Sequence, residues 1–140
     1  MLLTGTDLLT IERTLQLAIA PAFILGGIMA LLSLLSSRLQ RVGDLYEEAR
    51  SGVESPLTDL HLLARRARLI YRAITFAIAA AVLLCILVIA AFIEPLAGVR
   101  AGGHIAGLLL LGMLSLTASL ACFLREVLMS RDKLPTLPRL

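Results

Sequence analysis

The sequence predicts an all-α membrane protein with three transmembrane helices and a long cytoplasmic helical hairpin between the first two. Composition is the first observation: 59% of the 140 residues are hydrophobic and 16% are charged, against about 45–50% and about 25% in soluble proteins. The second is that the apolar residues form three nearly uncharged blocks, which a soluble domain of this length has too little interior to bury. One membrane domain over residues 1–140 follows.

Each block has the length of a membrane span, because about 20 residues at about 1.5 Å each cross about 30 Å of hydrocarbon. None of the blocks shows the alternation of a barrel strand, so we expect helices. In order, the predicted segments are an outer interfacial segment 1–13, a first span 14–37, the hairpin 38–72, a second span 73–93, an outer loop 94–103, a third span 104–124 and a cytoplasmic tail 125–140.

The first span begins with polar residues and contains a proline. Glu12 and Gln16 are four residues apart, on one face of a helix, and Pro21 leaves the carbonyl of Leu17 without its usual donor, so we expect a bend there. Two interpretations are open. The segment is a capped entry with a tolerated kink, or Glu12, Gln16 and Pro21 line an outer polar vestibule between subunits.

The basic residues predict the orientation. Of the 13 Lys and Arg residues, seven lie in residues 38–72 and four in the tail, while the opposite side holds only Arg13 and Arg100. The positive-inside rule then places the hairpin and the C-terminus in the cytoplasm and the N-terminus outside, in a multi-pass protein of the inner membrane.

The hairpin carries an apolar stripe of helical period on each of its two arms. We expect the arms to pack against each other as an antiparallel pair. The stripes consist of Leu39, Val42, Leu45, Tyr46 and Ala49 in the first arm, and Leu57, Leu60, Leu63, Ala67 and Ile70 in the second.

The densest basic patch lies where the hairpin enters the second span. Arg65, Arg68 and Arg72 share a helix face there. They either anchor the span and fix its topology or contact the anionic lipid headgroups of the cytoplasmic leaflet. Nucleic acid is disfavoured as a partner, because acidic residues interleave with the basic ones and no aromatic stacking platform is present.

Small residues recur along the spans at three- and four-residue steps. Such stripes let helices approach closely in lipid. Because three helices bury few faces among themselves, several stripes predict a homo-oligomer. The helix-packing residues are Ala18, Ala22, Gly26, Ala30, Gly112, Ser115 and Ser119.

Residue patterns for chemistry are missing from the sequence. It has no metal-ligand spacing, no phosphate-binding glycine loop, no nucleophile beside a base and no mid-membrane charge. We therefore expect no enzyme and no cofactor. The favoured hypothesis is a homo-oligomeric scaffold or accessory subunit whose hairpin binds a partner protein. The alternative is a homo-oligomeric ion channel or pore lined by the kinked first helix.

Three stretches, "IERTLQLAIAPAF", "RRARLIYRAI" and "FLREV", resemble in order and spacing a bacterial membrane family known as domain of unknown function 2721. The resemblance extends from about Leu9 to Leu128. It implies a small multi-spanning protein of the inner membrane. The family carries no established activity, so the resemblance implies no site residues.

Overall fold

The computed structural model describes residues 5–51, 57–97 and 102–131, and these form three α-helices. The helices are α1 (Gly5–Arg50), α2 (Leu57–Ala97) and α3 (Gly102–Arg131). Each is long and apolar enough to cross a membrane. The all-α class and three helices that could span a membrane are therefore confirmed for the part of the chain that the structure covers.

All three helices extend beyond the segments that the sequence predicts, and α2 reaches Ala97 inside the predicted outer loop 94–103. α1 runs without a break through Pro21 and includes residues 5–13, which the sequence assigned to a separate interfacial segment. α3 continues to Arg131, so residues 125–131, expected to belong to the tail, are helical. The remainder of the predicted tail, part of the outer loop and the hairpin turn at 52–56 lie outside the described residues.

The central helix is α2, which packs antiparallel against both α1 and α3, while α1 and α3 touch each other only slightly. Ala73, Ala77 and Ala80 of α2 are fully buried. Their small side chains allow the flanking helices to approach closely. One apolar cluster joins Ile28 of α1 to Ala77, Ala80 and Leu84.

A second apolar cluster extends the α1–α2 pair beyond the uncharged stretches. It joins Leu35 and Val42 of α1 to Ile70 and Ala73 of α2. The hairpin stripe is therefore packed as far as Val42. Leu45 and Tyr46, which the sequence placed on the same stripe, are 46% and 40% exposed.

The exposure of Leu45 and Tyr46 has a geometric reason. α3 ends at Arg131, and Ser130 in its last turn lies beside Arg66 of α2. Beyond this level the described residues belong to α1 and α2 alone, and two helices cover only a narrow seam on each other. The part of the stripe to either side of that seam stays exposed.

Candidate functional site

The interface between α2 and α3 uses the small residues of α3. Ser115 Oγ donates a hydrogen bond to the carbonyl of Phe76 at 2.8 Å, and Ser119 Oγ donates one to the carbonyl of Ala73 at 2.7 Å. A Cβ at Gly112 would lie 3.6 Å from the side chain of Leu84. Gly112, Ser115 and Ser119 thus serve packing within one chain, where sequence reasoning assigned small stripes to contacts between chains.

The same face of α3 leads to a buried carboxylate. Glu126 follows Ser119 by seven residues, about two turns of the helix. It is 1% exposed. Arg38 of α1 and Arg66 of α2 reach it from the other two helices. We refer to Glu126, Arg38, Arg66, Phe123 and Ser130 as the Glu126 cluster.

Each carboxylate oxygen of Glu126 is bound by a different arginine. Arg66 donates to Oε1 through Nη2 at 2.9 Å and through Nε at 3.3 Å, and its Nη2 also donates to Ser130 Oγ at 3.0 Å. Arg38 donates to Oε2 through Nη1 at 3.0 Å. The Arg38 guanidinium also lies over the Phe123 ring, with Cζ 5.1 Å from its centroid, close enough for a cation–π contact.

The Glu126 cluster joins all three helices at one level. Because α1 and α3 otherwise touch only slightly, the Arg38–Glu126 pair fixes the position of α1 relative to α3. The carboxylate is buried, whereas the side chains of Arg38 and Arg66 are 39% and 25% exposed. Partial hydration of the two cations lowers the cost of burying the charges. We call this arrangement a clamp, because it holds the three helices together at one level.

A second charged feature lies on the other side of the α2–α3 pair. Arg65, Arg68 and Arg72 of α2 face Arg125 of α3 across a cavity of about 260 Å³, whose remaining lining residues are Leu69 and Met129. We call these six residues the arginine groove. The three α2 arginines share a face, as the sequence indicates, and the structure adds Arg125.

The residues predicted to form an outer vestibule do not share one surface. Glu12 and Gln16 are exposed, whereas Pro21 is buried. Pro21 follows Glu12 by nine residues, two and a half turns of a helix at 3.6 residues per turn, so the two lie on opposite sides of α1.

The small residues of α1 remain uncovered. Ala22, Gly26 and Ala30 are exposed, and a Cβ at Gly26 would meet nothing within 4 Å. Ala22 and Gly26 border an open apolar groove of about 600 Å³ whose lining also includes Leu116 and Leu120 of α3. The side chain of Ala18, also predicted to pack, lies outside the described residues.

Sequence reasoning missed the Glu126 cluster. It counted Arg66 only toward orientation and placed Glu126 in the tail. The signal was present: the stripe through Gly112, Ser115 and Ser119 continues at helical steps to Glu126 and Ser130. Among the described residues, no group of three or more His, Cys, Asp or Glu side chains is placed to hold a metal ion.

A family model described as a protein of unknown function (DUF2721) matches residues 18–135. The match covers most of the chain, so the chain belongs to this family, and the resemblance seen in the three sequence stretches is confirmed. Comparison with curated proteins and with solved structures finds no significant match.

Proposed function

We propose that this member of the DUF2721 family is a homo-oligomeric, non-enzymatic scaffold or accessory subunit of the inner membrane. One observation carries the proposal. The buried alanines of α2 and the stripe of Gly112, Ser115 and Ser119 on α3 are used within the chain. By contrast, Ala22, Gly26 and Ala30 of α1 form an exposed small-residue face, and a Cβ at Gly26 would meet nothing within 4 Å. In lipid, such a face is where another helix approaches closely.

The charges support a structural role over a catalytic one. Glu126 is the one carboxylate buried among the described residues, and both of its oxygens are bound by arginines. A carboxylate held in this way serves to join helices and is not free to act as a base. The excess of Arg in residues 38–72 and 125–131 favours placement of this end of the bundle in the cytoplasm.

The hairpin supports a partner-binding role. Leu45 and Tyr46 are exposed beyond the level at which α3 ends, and Gly43, Glu47 and Arg50 form a shallow depression beside Tyr46. Exposed apolar residues rimmed by charges are typical of a protein-binding surface. In this proposal, the hairpin binds a cytoplasmic or membrane protein.

Cysteine cross-linking in native membranes tests the oligomer. In a chain whose own two cysteines are replaced by alanine, Gly26→Cys is expected to give a disulfide-linked dimer on mild oxidation. Ile89→Cys, at an apolar position of α2 that is 58% exposed, is the matched control and is expected to give none. Equal cross-linking of both variants, or of neither, would contradict a specific α1 interface.

A homo-oligomeric ion channel remains the second candidate. It is favoured by the polar residues on the small-residue side of α1: Glu12 and Ala30 are separated by 18 residues, five full turns, and both are exposed. Exposed Ser33 and Ser37 continue this side toward the hairpin. Copies packed through α1 would bring these groups near one another.

Planar-bilayer recording separates the two candidates. A channel requires the reconstituted oligomer to conduct, with Gln16→Leu and Pro21→Ala each changing the conductance. For the scaffold we expect no conductance above that of protein-free bilayers. Unitary currents that Gln16→Leu alters would establish the channel and refute the scaffold.

A further inference from the structure

We propose that the arginine groove binds the phosphate group of one anionic phospholipid molecule, held between α2 and α3. The groove collects Arg65, Arg68 and Arg72 from one helix and Arg125 from the next. No acidic side chain lines it within the described parts of the chain. One chain holds all four arginines, so the site needs no second copy.

The arginines of the groove differ in their pairing from those of the Glu126 cluster. Arg38 and Arg66 are neutralised in part by Glu126. Arg65, Arg68, Arg72 and Arg125 make no ion pair within the described residues. Four guanidinium groups around one cavity repel one another, and an anion bound among them removes that repulsion.

The chemistry of the lining selects a phosphate. A guanidinium group presents N–H donors in a planar fork that matches two oxygens of a phosphate. Three arginines on one helix face and a fourth opposite surround the cavity from two sides. Leu69 and Met129 add apolar surface, which suits the glycerol and the first methylene groups of a lipid.

The position along the helices favours a lipid over a soluble anion. Arg72 directly precedes the uncharged stretch 73–93 of α2, and Arg125 directly follows the uncharged stretch 105–124 of α3. The groove therefore spans the depth at which the hydrocarbon region ends. Lipid phosphates occupy this level, and basic pockets between membrane helices bind anionic headgroups there.

The neighbouring ion pairs hold the groove in shape. Arg66 and Glu126 are bound to each other by hydrogen bonds of 2.9 and 3.3 Å. Arg65 and Arg125 each precede one of these fixed residues. Since a residue is rotated by about 100° from the next along a helix, locking Arg66 and Glu126 toward each other keeps Arg65 and Arg125 on the groove side.

Native mass spectrometry of the full chain in non-ionic detergent tests the proposal. Dioleoyl phosphatidylglycerol is expected to bind at one molecule per chain, and dioleoyl phosphatidylcholine is expected to bind at least tenfold more weakly. Arg68→Gln and Arg125→Gln are each expected to weaken phosphatidylglycerol binding about fivefold. Arg41→Gln removes the same charge from an exposed position on α1 outside the groove and is expected to change binding less than twofold.

Three results would overturn the proposal. If Arg41→Gln and Arg125→Gln weakened phosphatidylglycerol binding equally, the lipid would be attracted by the overall charge and not by a site. Equal binding of the two lipids would overturn the proposal as well. Inorganic phosphate that displaces the lipid at equal concentration would identify a free anion as the occupant, again against the proposal. Circular dichroism of each variant confirms that the helices are retained.

Discussion

Replacing Arg66 by methionine removes the charge from one side of the Glu126 cluster and keeps an apolar stem. The substitution deletes two hydrogen bonds to Oε1, at 2.9 and 3.3 Å, and one to Ser130 at 3.0 Å. Glu126 is 1% exposed, so the carboxylate depends on these donors and loses them within a largely buried site. Breaking a buried ion pair from one side costs about 3–5 kcal/mol. Because Arg38 still binds Oε2, we expect a value near the lower end, about 3 kcal/mol.

The assay is reversible unfolding in mixed micelles of dodecyl maltoside and sodium dodecyl sulfate, followed by circular dichroism. Arg65→Met is the matched control, because Arg65 is adjacent, exposed and unpaired within the described residues. We expect it to lower the free energy of unfolding by no more than about 0.5 kcal/mol. The double variant Arg66→Met with Glu126→Gln should lose less free energy of unfolding than the two single variants lose together. We expect the difference to be about 1–3 kcal/mol. Equal losses for Arg66→Met and Arg65→Met would refute the clamp.

Three further predictions concern the helix interface and the orientation. Ser119→Val removes the bond to the Ala73 carbonyl and adds bulk at a fully buried site, so it should cost about 1–3 kcal/mol in the same titration. Thr117→Val, whose hydroxyl binds only its own helix, should cost less than about 0.5 kcal/mol. Gly112→Leu should destabilise the chain by about 1–3 kcal/mol, because its side chain would press on α2, whereas Gly107→Leu meets open space and should be tolerated. In a cysteine-free background, Ser51→Cys should react with a membrane-impermeant maleimide in inside-out vesicles and stay unlabelled in intact cells; the reverse pattern would contradict the proposed orientation.

The helices could be predicted from the sequence because local rules govern them. Each apolar block has the length of a span, and lipid forces the backbone of such a block to bond within itself. The α2–α3 interface was also partly visible, since Ser115 and Ser119 lie on one helix face. The stripe alone could not show whether that face meets another helix of the same chain or a second copy.

The Glu126 cluster could not be predicted from local pattern, because its partners are distant in the chain. Arg66 and Arg38 lie 60 and 88 residues from Glu126. A charge just past an apolar block normally marks the end of the span, so Glu126 was assigned to the tail. Its burial depends on α1 and α2 both continuing past the membrane boundary, which no property of α3 alone reveals.

The apolar stripe of the first hairpin arm predicted more packing than the structure shows. Helical periodicity correctly placed Val42 on the packed face, but it carries no information about where a third helix ends. Leu45 and Tyr46 repeat the pattern one turn further on and are exposed. An apolar stripe thus predicts a surface that can be buried. How much of that surface is buried depends on the length and position of the neighbouring helices.

The mass of the detergent-extracted complex shows whether the chain forms a homo-oligomer. By native mass spectrometry, we expect the wild-type chain to give a complex of two or more copies, and Gly26→Leu to give the 15.0 kDa single chain. Gly107→Leu, where a side chain also meets open space within the chain, should leave the complex intact. A wild-type protein that is a single chain in several mild detergents would contradict the homo-oligomer.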